Sequence, residues 1–185
     1  MARWGNELKM SKNGSARSPR KATRASGASK GQTLDLERYV PAFVTFIANK
    51  LSRSATVFYQ RNFGVNVTEW RIMSLLAIEP GIPASRICYV IGFDKGPVSR
   101  TLAQLEKREL VTIKTDPSDG RSHSISLTTH GRHVHDQVIV AALERERRLL
   151  ACLRKDEREV LIDLLRRVHS NLGAVTFPGD ADGED

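Results

Sequence analysis

Cysteine is almost missing from this chain. Only Cys88 and Cys152 occur in 185 residues, far apart and outside any CxxC or histidine-paired spacing. That excludes a disulfide-stapled secreted scaffold and fits a reducing cytosol, so a cytoplasmic location is expected. Long apolar runs are absent too: none approaches the roughly 18 residues of a membrane span, and the N-terminus has no signal-peptide h-region. No membrane partner is expected, although the Arg- and Ser-rich N-terminus has the composition of an organellar transit peptide as well. No repeat of 20–50 residues is visible. Nucleophile–base–orienter sets, Gly-rich phosphate loops and carboxylate pairs are lacking, so no enzyme, no catalytic residue and no cofactor are expected. His130, His133 and His135 stand three and two residues apart on one helix, with His123 and His169 elsewhere. That spacing does not put the three on one face and no cysteine or carboxylate cluster joins them, so they read as solvated and no metal is expected.

What remains is a basic chain with enough apolar content for one core. Hydrophobic residues make up 40%, which argues against wholesale disorder. The net charge of +8 is unevenly placed. Residues 1–32 carry eight Lys/Arg against the single acid Glu7, while Asp180, Asp182, Glu184 and Asp185 close the chain without a base. The body between them is still basic, which suits a polyanionic partner. Residues 1–32 are Ser/Gly/Ala/basic and read as a disordered tail, either simply solvated or a basic arm adding phosphate contacts. Residues 177–185 form an acidic tail.

From Leu34 the pattern turns helical: Leu36, Val40, Phe43, Val44, Ile47, Leu51, Ala55 and Phe58 recur at three- and four-residue steps. Gly64 and Asn66 break this stripe, and Thr68 is placed to cap a short helix that Pro80-Gly81 ends. Ser85–Ile91 forms the next helix, stopped by Gly92; Asp94 then precedes a helix over Lys95–Arg108, with Pro97 in its first turn. Val111 and Ile113, then Ile125 and Leu127, alternate with polar residues as two short strands, and Asp116–Ser122 with Pro117 and Gly120 makes the tip between them. Thr128 caps a long helix to about Leu153, and Asp156-Glu157 open the last one. Its stripe is Val160, Leu161, Leu164, Leu165, Val168 and Leu172.

Two adjoining segments carry the function. Cys88, Gly92 and Val98 stand where a helix–turn–helix needs a small crossing residue, a turn glycine and an inward apolar residue, with Ile87, Leu102 and Leu105 in support. This leaves Lys95, Ser99, Arg100, Gln104 and Lys107 facing outward on the second helix, the polar and basic set that major-groove readout requires. The following hairpin projects Arg121 from its tip, a cation able to reach a narrow minor groove. Asp119 would repel phosphate and reads as the carboxylate that holds Arg121 or a neighbouring base in place.

The motifs resemble those of the MarR family of bacterial transcription regulators over roughly residues 35–172. The wing signature D-P-x-D-x-R with L-T-x-x-G stands here as Asp116-Pro117-Ser118-Asp119-Gly120-Arg121 and Leu127-Thr128-Thr129-His130-Gly131. The recognition-helix start D-K-x-x-V-S-R stands as Asp94-Lys95-Gly96-Pro97-Val98-Ser99-Arg100. Gly96-Pro97 is stiffer than the pattern, and the basic tail is an addition. The resemblance implies a mainly α fold with a small β-wing: a winged helix–turn–helix domain plus N- and C-terminal dimerisation helices, in a triangular homodimer. On this reading residues 33–62 are the first dimerisation helix, 63–129 the DNA-binding domain and 130–176 the C-terminal dimerisation helices.

The residues ask for a partner independently. The stripes on the first and last helices are too wide for a winged-helix module to cover, and a two-fold copy would bury them. Two recognition helices one helical turn apart demand a near-palindromic operator on double-stranded DNA. The resemblance further implies a small effector in the crevice between dimer apex and winged helix. Phe43, Phe58, Tyr59 and Phe63 near Trp70 are its expected aromatic lining, and Arg53, Arg61 and Arg71 its expected partners for an acid or phosphate. The same aromatics read equally well as core and the arginines as surface. The stretch Asn66–Arg100 also looks like the branch answering to aromatic acids or their CoA thioesters. The expected protein is a repressor of aromatic compound catabolism released by such a ligand. A redox- or metal-responsive regulator of this fold, or a DNA-binding protein with no small ligand, is the alternative.

Overall fold

The computed structural model describes residues 33–115 and 123–175. The chain divides between Tyr39 and Val40 into two units. In the first, Asp35 organises a turn: its carboxylate accepts the Glu37 N–H at 3.0 Å and its carbonyl the Arg38 N–H at 3.1 Å. The helix expected from Leu34 therefore does not begin there.

In the second unit, helix α1 runs Val40–Phe63. Pro41 explains the later start. Without an N–H, and with a ring that clashes with the turn before it, proline fits the first turn of a helix and not its interior. Gly64 ends α1 at φ +71°, its N–H donating to the Gln60 carbonyl at 3.2 Å. Helix α2 spans Val67–Ile78, and its cap is Asn66 rather than Thr68. Asn66 Oδ1 accepts from the Thr68 and Glu69 N–H groups at 2.9 and 3.0 Å, while Glu69 Oε2 accepts the Asn66 N–H at 2.7 Å. This reciprocal box satisfies three donors, which a threonine two positions on cannot do.

Helices α3 (Ala84–Ile91) and α4 (Lys95–Lys107) follow, separated by Gly92 at φ +72°. The Gly92 and Phe93 N–H groups both close onto the Cys88 carbonyl, at 2.8 and 3.2 Å. At the far end of α4, the Glu109 N–H reaches the Glu106 carbonyl and the Leu110 N–H the Leu105 carbonyl, a Schellman closure that holds Glu109 at φ +55°.

Strands β1 (Val111–Thr115) and β2 (His123–Leu127) pair antiparallel, Val111 opposite Leu127 and Ile113 opposite Ile125. The loop after α2 adds a bridge, with Gly81 and Ile82 hydrogen-bonded to Ile125 at 2.9 and 3.0 Å. Val111 and Ile125 are buried, Lys114 and Ser124 exposed, as the alternation predicts.

Helix α5 covers Thr129–Leu149 and starts on Thr128, whose hydroxyl accepts the Gly131 N–H at 2.9 Å and donates to the Glu109 carbonyl. It stops short of the predicted Leu153. The Glu157 carboxylate already caps the Arg154 N–H at 2.8 Å, so the chain must turn over Leu150–Leu153 to enter α6 (Lys155–Ser170). A 3-10 turn at Leu172–Val175 follows.

The core lies under the helix–turn–helix. Ile72, Met73 and Leu76 of α2, Ile87 of α3, Val98 and Leu105 of α4, and Val138 of α5 are fully buried. In contrast, α6 has no buried residue, and Val160, Leu164, Leu165 and Val168 are each about half exposed. On α1, Val40, Val44 and Ile47 are similarly open. No helix among the described residues is long and apolar enough to cross a membrane.

Candidate nucleic-acid interface and effector cleft

Helix α4 is two-faced because its apolar residues recur at helical spacing. Val98, Leu102 and Leu105 are buried against the core. This turns Lys95, Ser99, Arg100, Gln104 and Lys107 outward, and all five are exposed. Asp94 occupies the N-cap position in extended conformation, but its side chain makes no capping bond. The Lys95 and Gly96 N–H groups thus stay uncapped beside the basic face, and Pro97 has none to satisfy. Thr101 is tied down by its hydroxyl to the Pro97 carbonyl at 2.9 Å. Asp119 and Arg121, the predicted wing-tip pair, lie outside the described residues.

An ion pair fixes the end of α4. Arg108 Nη1 meets Glu69 Oε1 at 2.9 Å and its Nη2 donates to the Gly64 carbonyl at 2.9 Å. Glu69 is buried, so Arg108 ties the end of α4 both to a buried carboxylate of α2 and to the carbonyl that follows α1.

A cleft of about 690 Å³ opens between α1 and α5. Leu51, Ala55, Phe58 and Tyr59 line it from α1; Ala141, Glu144, Arg145, Glu146, Arg148 and Leu149 line it from α5. Of the eight residues expected around an effector, the structure brings Phe58 and Tyr59 to this cleft. Phe63 and Trp70 pack behind Tyr59, with Tyr59 and Trp70 edge-to-face at 6.1 Å. Phe43 sits in the first turn of α1, exposed, and does not line the cleft. Arg53 and Arg61 are exposed along α1 and do not line it either. Arg71 is an internal strut, donating to Ser52 Oγ at 2.8 Å with its guanidinium 5.7 Å from the Phe93 ring.

Arg145 escaped the sequence reading because it lies in the charged run Glu144–Arg148, which reads as a solvated face. Its guanidinium is 5.4 Å from the Phe58 ring centre and 5.7 Å from that of Tyr59, and it donates to Ser54 Oγ at 3.0 Å. Burial pushes the Tyr59 phenol up, opposed by the Arg145 charge beside it. The Glu144 carboxyl is held down to about 2 by hydrogen bonds from Arg147 and then Arg148. His135 also departs from expectation. It is buried, stacked on Trp70 at 5.3 Å with Nδ1 2.8 Å from Asp136 Oδ1, because helix α5 turns it toward α2. Among the described residues no cluster of three metal-ligating side chains forms.

A buried helix–turn–helix with an outward polar second helix and a two-stranded wing defines a winged helix–turn–helix DNA-binding transcriptional regulator. The comparisons agree. Residues 63–122 match the model of the MarR family. A MarR/EmrR family transcriptional regulator from Acinetobacter sp. ADP1 is similar in structure, with a TM-score of 0.72 and 30% identity, covering 77% of this chain and all of that one. The PcaV transcriptional regulator from Streptomyces coelicolor, solved in complex with its natural ligand, gives a TM-score of 0.62 at 25% identity over 75% of this chain and 97% of its own. In sequence, the helix-turn-helix-type regulator YdgJ of Bacillus subtilis (strain 168) is 29% identical over 115 residues, 60% of this chain and 68% of YdgJ. The chain belongs to the MarR family.

Proposed function

We propose that this chain is a homodimeric, ligand-responsive repressor, held on a near-palindromic operator and released by a small anionic aromatic ligand or its CoA thioester. The observation that carries the DNA reading is the division of α4: three buried apolar residues lock the helix in place, and five polar or basic ones face outward together. Ser99 and Arg100 lie near the start of that helix and discriminate bases; Lys95 and Lys107 contact phosphate, and Gln104 supports the base contacts. Arg121 at the wing tip adds a minor-groove contact, with Asp119 orienting it.

The homodimer is supported by the open apolar stripes of α1 and α6, which a second copy would cover. Residues 33–62 and 130–176 then serve dimerisation and 63–129 DNA binding, in the cytoplasm. Control of aromatic compound catabolism by a small ligand is supported by the aromatic-walled cleft and by PcaV, a relative that has a natural ligand.

The test is fluorescence anisotropy of the full chain on a duplex selected from a random pool, against a scrambled duplex, across a salt series. Specific affinity should fall linearly on a log–log salt plot. Ser99→Ala and Arg100→Ala should each narrow the gap between specific and scrambled duplex, at about 1–3 kcal/mol per lost base contact. If both variants weaken the two duplexes equally, base reading by α4 is wrong. If no duplex is enriched, DNA regulation is wrong.

A further inference from the structure

The recognition helix is held unevenly at its two ends. At the start of α4, Asp94 stands at the cap position without a capping bond, and the outward side chains are exposed. At its end the chain is gripped repeatedly. Arg108 binds Glu69 and the Gly64 carbonyl. The Glu109 and Leu110 N–H groups turn back onto the carbonyls of Glu106 and Leu105, at 2.8 and 2.9 Å. Thr128 takes hold from the α5 side: its hydroxyl donates to the Glu109 carbonyl, and its N–H donates to the Leu110 carbonyl at 3.1 Å. Glu109 itself sits at φ +55°, a left-handed backbone that a residue with a Cβ keeps only where its surroundings over-determine it.

The Thr128 hydroxyl has a second partner, since it accepts the Gly131 N–H at 2.9 Å as the cap of α5. Its two roles are thus divided between two elements: the acceptor starts α5, and the donor reaches back to the residue that follows α4. Gly131 permits the close approach, because a Cβ there would lie 1.8 Å from the Leu110 carbonyl oxygen. Capping a helix needs only the acceptor. The donated bond does something else.

We infer that Thr128 is a positioning residue for the recognition helix, its donated hydrogen bond fixing the angle at which α4 meets DNA. This rests on base reading by Ser99 and Arg100, proposed above. Ser99 lies about 12 Å along the axis from Lys107, so a tilt of about 10° at the held end carries it about 2 Å. Hydrogen bonds to base edges do not survive such a shift. Lysine contacts to phosphate do, because a flexible point charge follows its target. Loosening the joint therefore costs base discrimination before it costs backbone affinity.

The experiment compares variants of the full chain by fluorescence anisotropy on the selected duplex and its scrambled counterpart, with urea unfolding alongside. Thr128→Ser keeps donor and acceptor, and should hold the ratio of specific to scrambled affinity within about twofold. Thr128→Asp keeps the cap, but an ionised carboxylate has no proton to give the Glu109 carbonyl. It should fold and lose about tenfold or more of the ratio. Thr129→Asp puts the same charge on the neighbouring exposed residue. It should weaken both duplexes alike and leave the ratio within about twofold. A wild-type ratio in Thr128→Asp overturns the assignment and leaves Thr128 a helix cap. An equal loss in Thr129→Asp traces the effect to charge and overturns it too. If Thr128→Asp alone does not fold, it is combined with Glu109→Gly, which relieves the left-handed strain. A wild-type ratio in that double variant overturns the assignment; a ratio lost there and kept in Glu109→Gly alone supports it. A wild-type chain that binds both duplexes equally removes base reading itself.

Discussion

Replacing Arg108 with alanine tests whether the buried Glu69 carboxylate ties the recognition helix to the core. The Glu69 side chain is only 4% exposed and that of Arg108 is 40% exposed. The substitution removes a charge-assisted bond to Glu69 and a second bond to the Gly64 carbonyl, and it leaves Glu69 with the Asn66 N–H as its remaining partner. Breaking a fully buried pair costs about 3–5 kcal/mol; water can reach this carboxylate from the Arg108 side, so we expect about 2 kcal/mol. In urea unfolding at fixed protomer concentration, with a slope of about 2 kcal/mol/M, the midpoint should drop by about 1 M with the slope unchanged. A Glu69→Gln, Arg108→Ala double-mutant cycle should return a coupling of about 1–2 kcal/mol. A loss under about 0.5 kcal/mol for Arg108→Ala would refute the reasoning and make the pair a surface contact of the ordinary kind.

Gly131→Ala should destabilise by about 1–3 kcal/mol or more, because a Cβ there overlaps the Leu110 carbonyl where α5 leaves the wing; thermal unfolding reads it, and a neutral result contradicts the close approach. Glu144 should titrate with a midpoint of about 2 in a carboxyl NMR titration, against an ordinary value of 4.5. Its pairing stabilises the folded chain above the ordinary carboxylate range, and that contribution is lost as pH falls toward about 2. Added salt should move the midpoint back upward, since solvent reaches both ion pairs.

Much of the DNA-facing half was legible in the sequence. Val98, Leu102 and Leu105 recur at helical spacing, so the outward positions of α4 follow by subtraction, and the alternation about Val111 and Ile125 marks the wing. Boundaries were less legible where two local rules compete. Asn66-x-x-Glu69 is itself a capping signature, but Thr68 stood nearer the apolar run. Pro41 forbids a helix interior, yet the apolar stripe passes straight through it.

The cleft between α1 and α5 was mostly not legible, for a physical reason. Periodicity tells which side of a helix is apolar but not which helix it will face, or at what depth. Tyr59 and Arg145 are 86 positions apart, and only the packing of α1 on α5 brings the guanidinium onto the ring. The packing of α2 on α1 turned Arg71 to Ser52, and that of α5 on α2 buried His135 on Trp70. The helix–turn–helix, the two strands of the wing and the outward residues of α4 follow from sequence alone, because each depends on neighbours within a few turns. Only the packing of α1 on α5 brings Arg145 onto Phe58, Tyr59 and Ser54, because that depends on segments far apart in the chain.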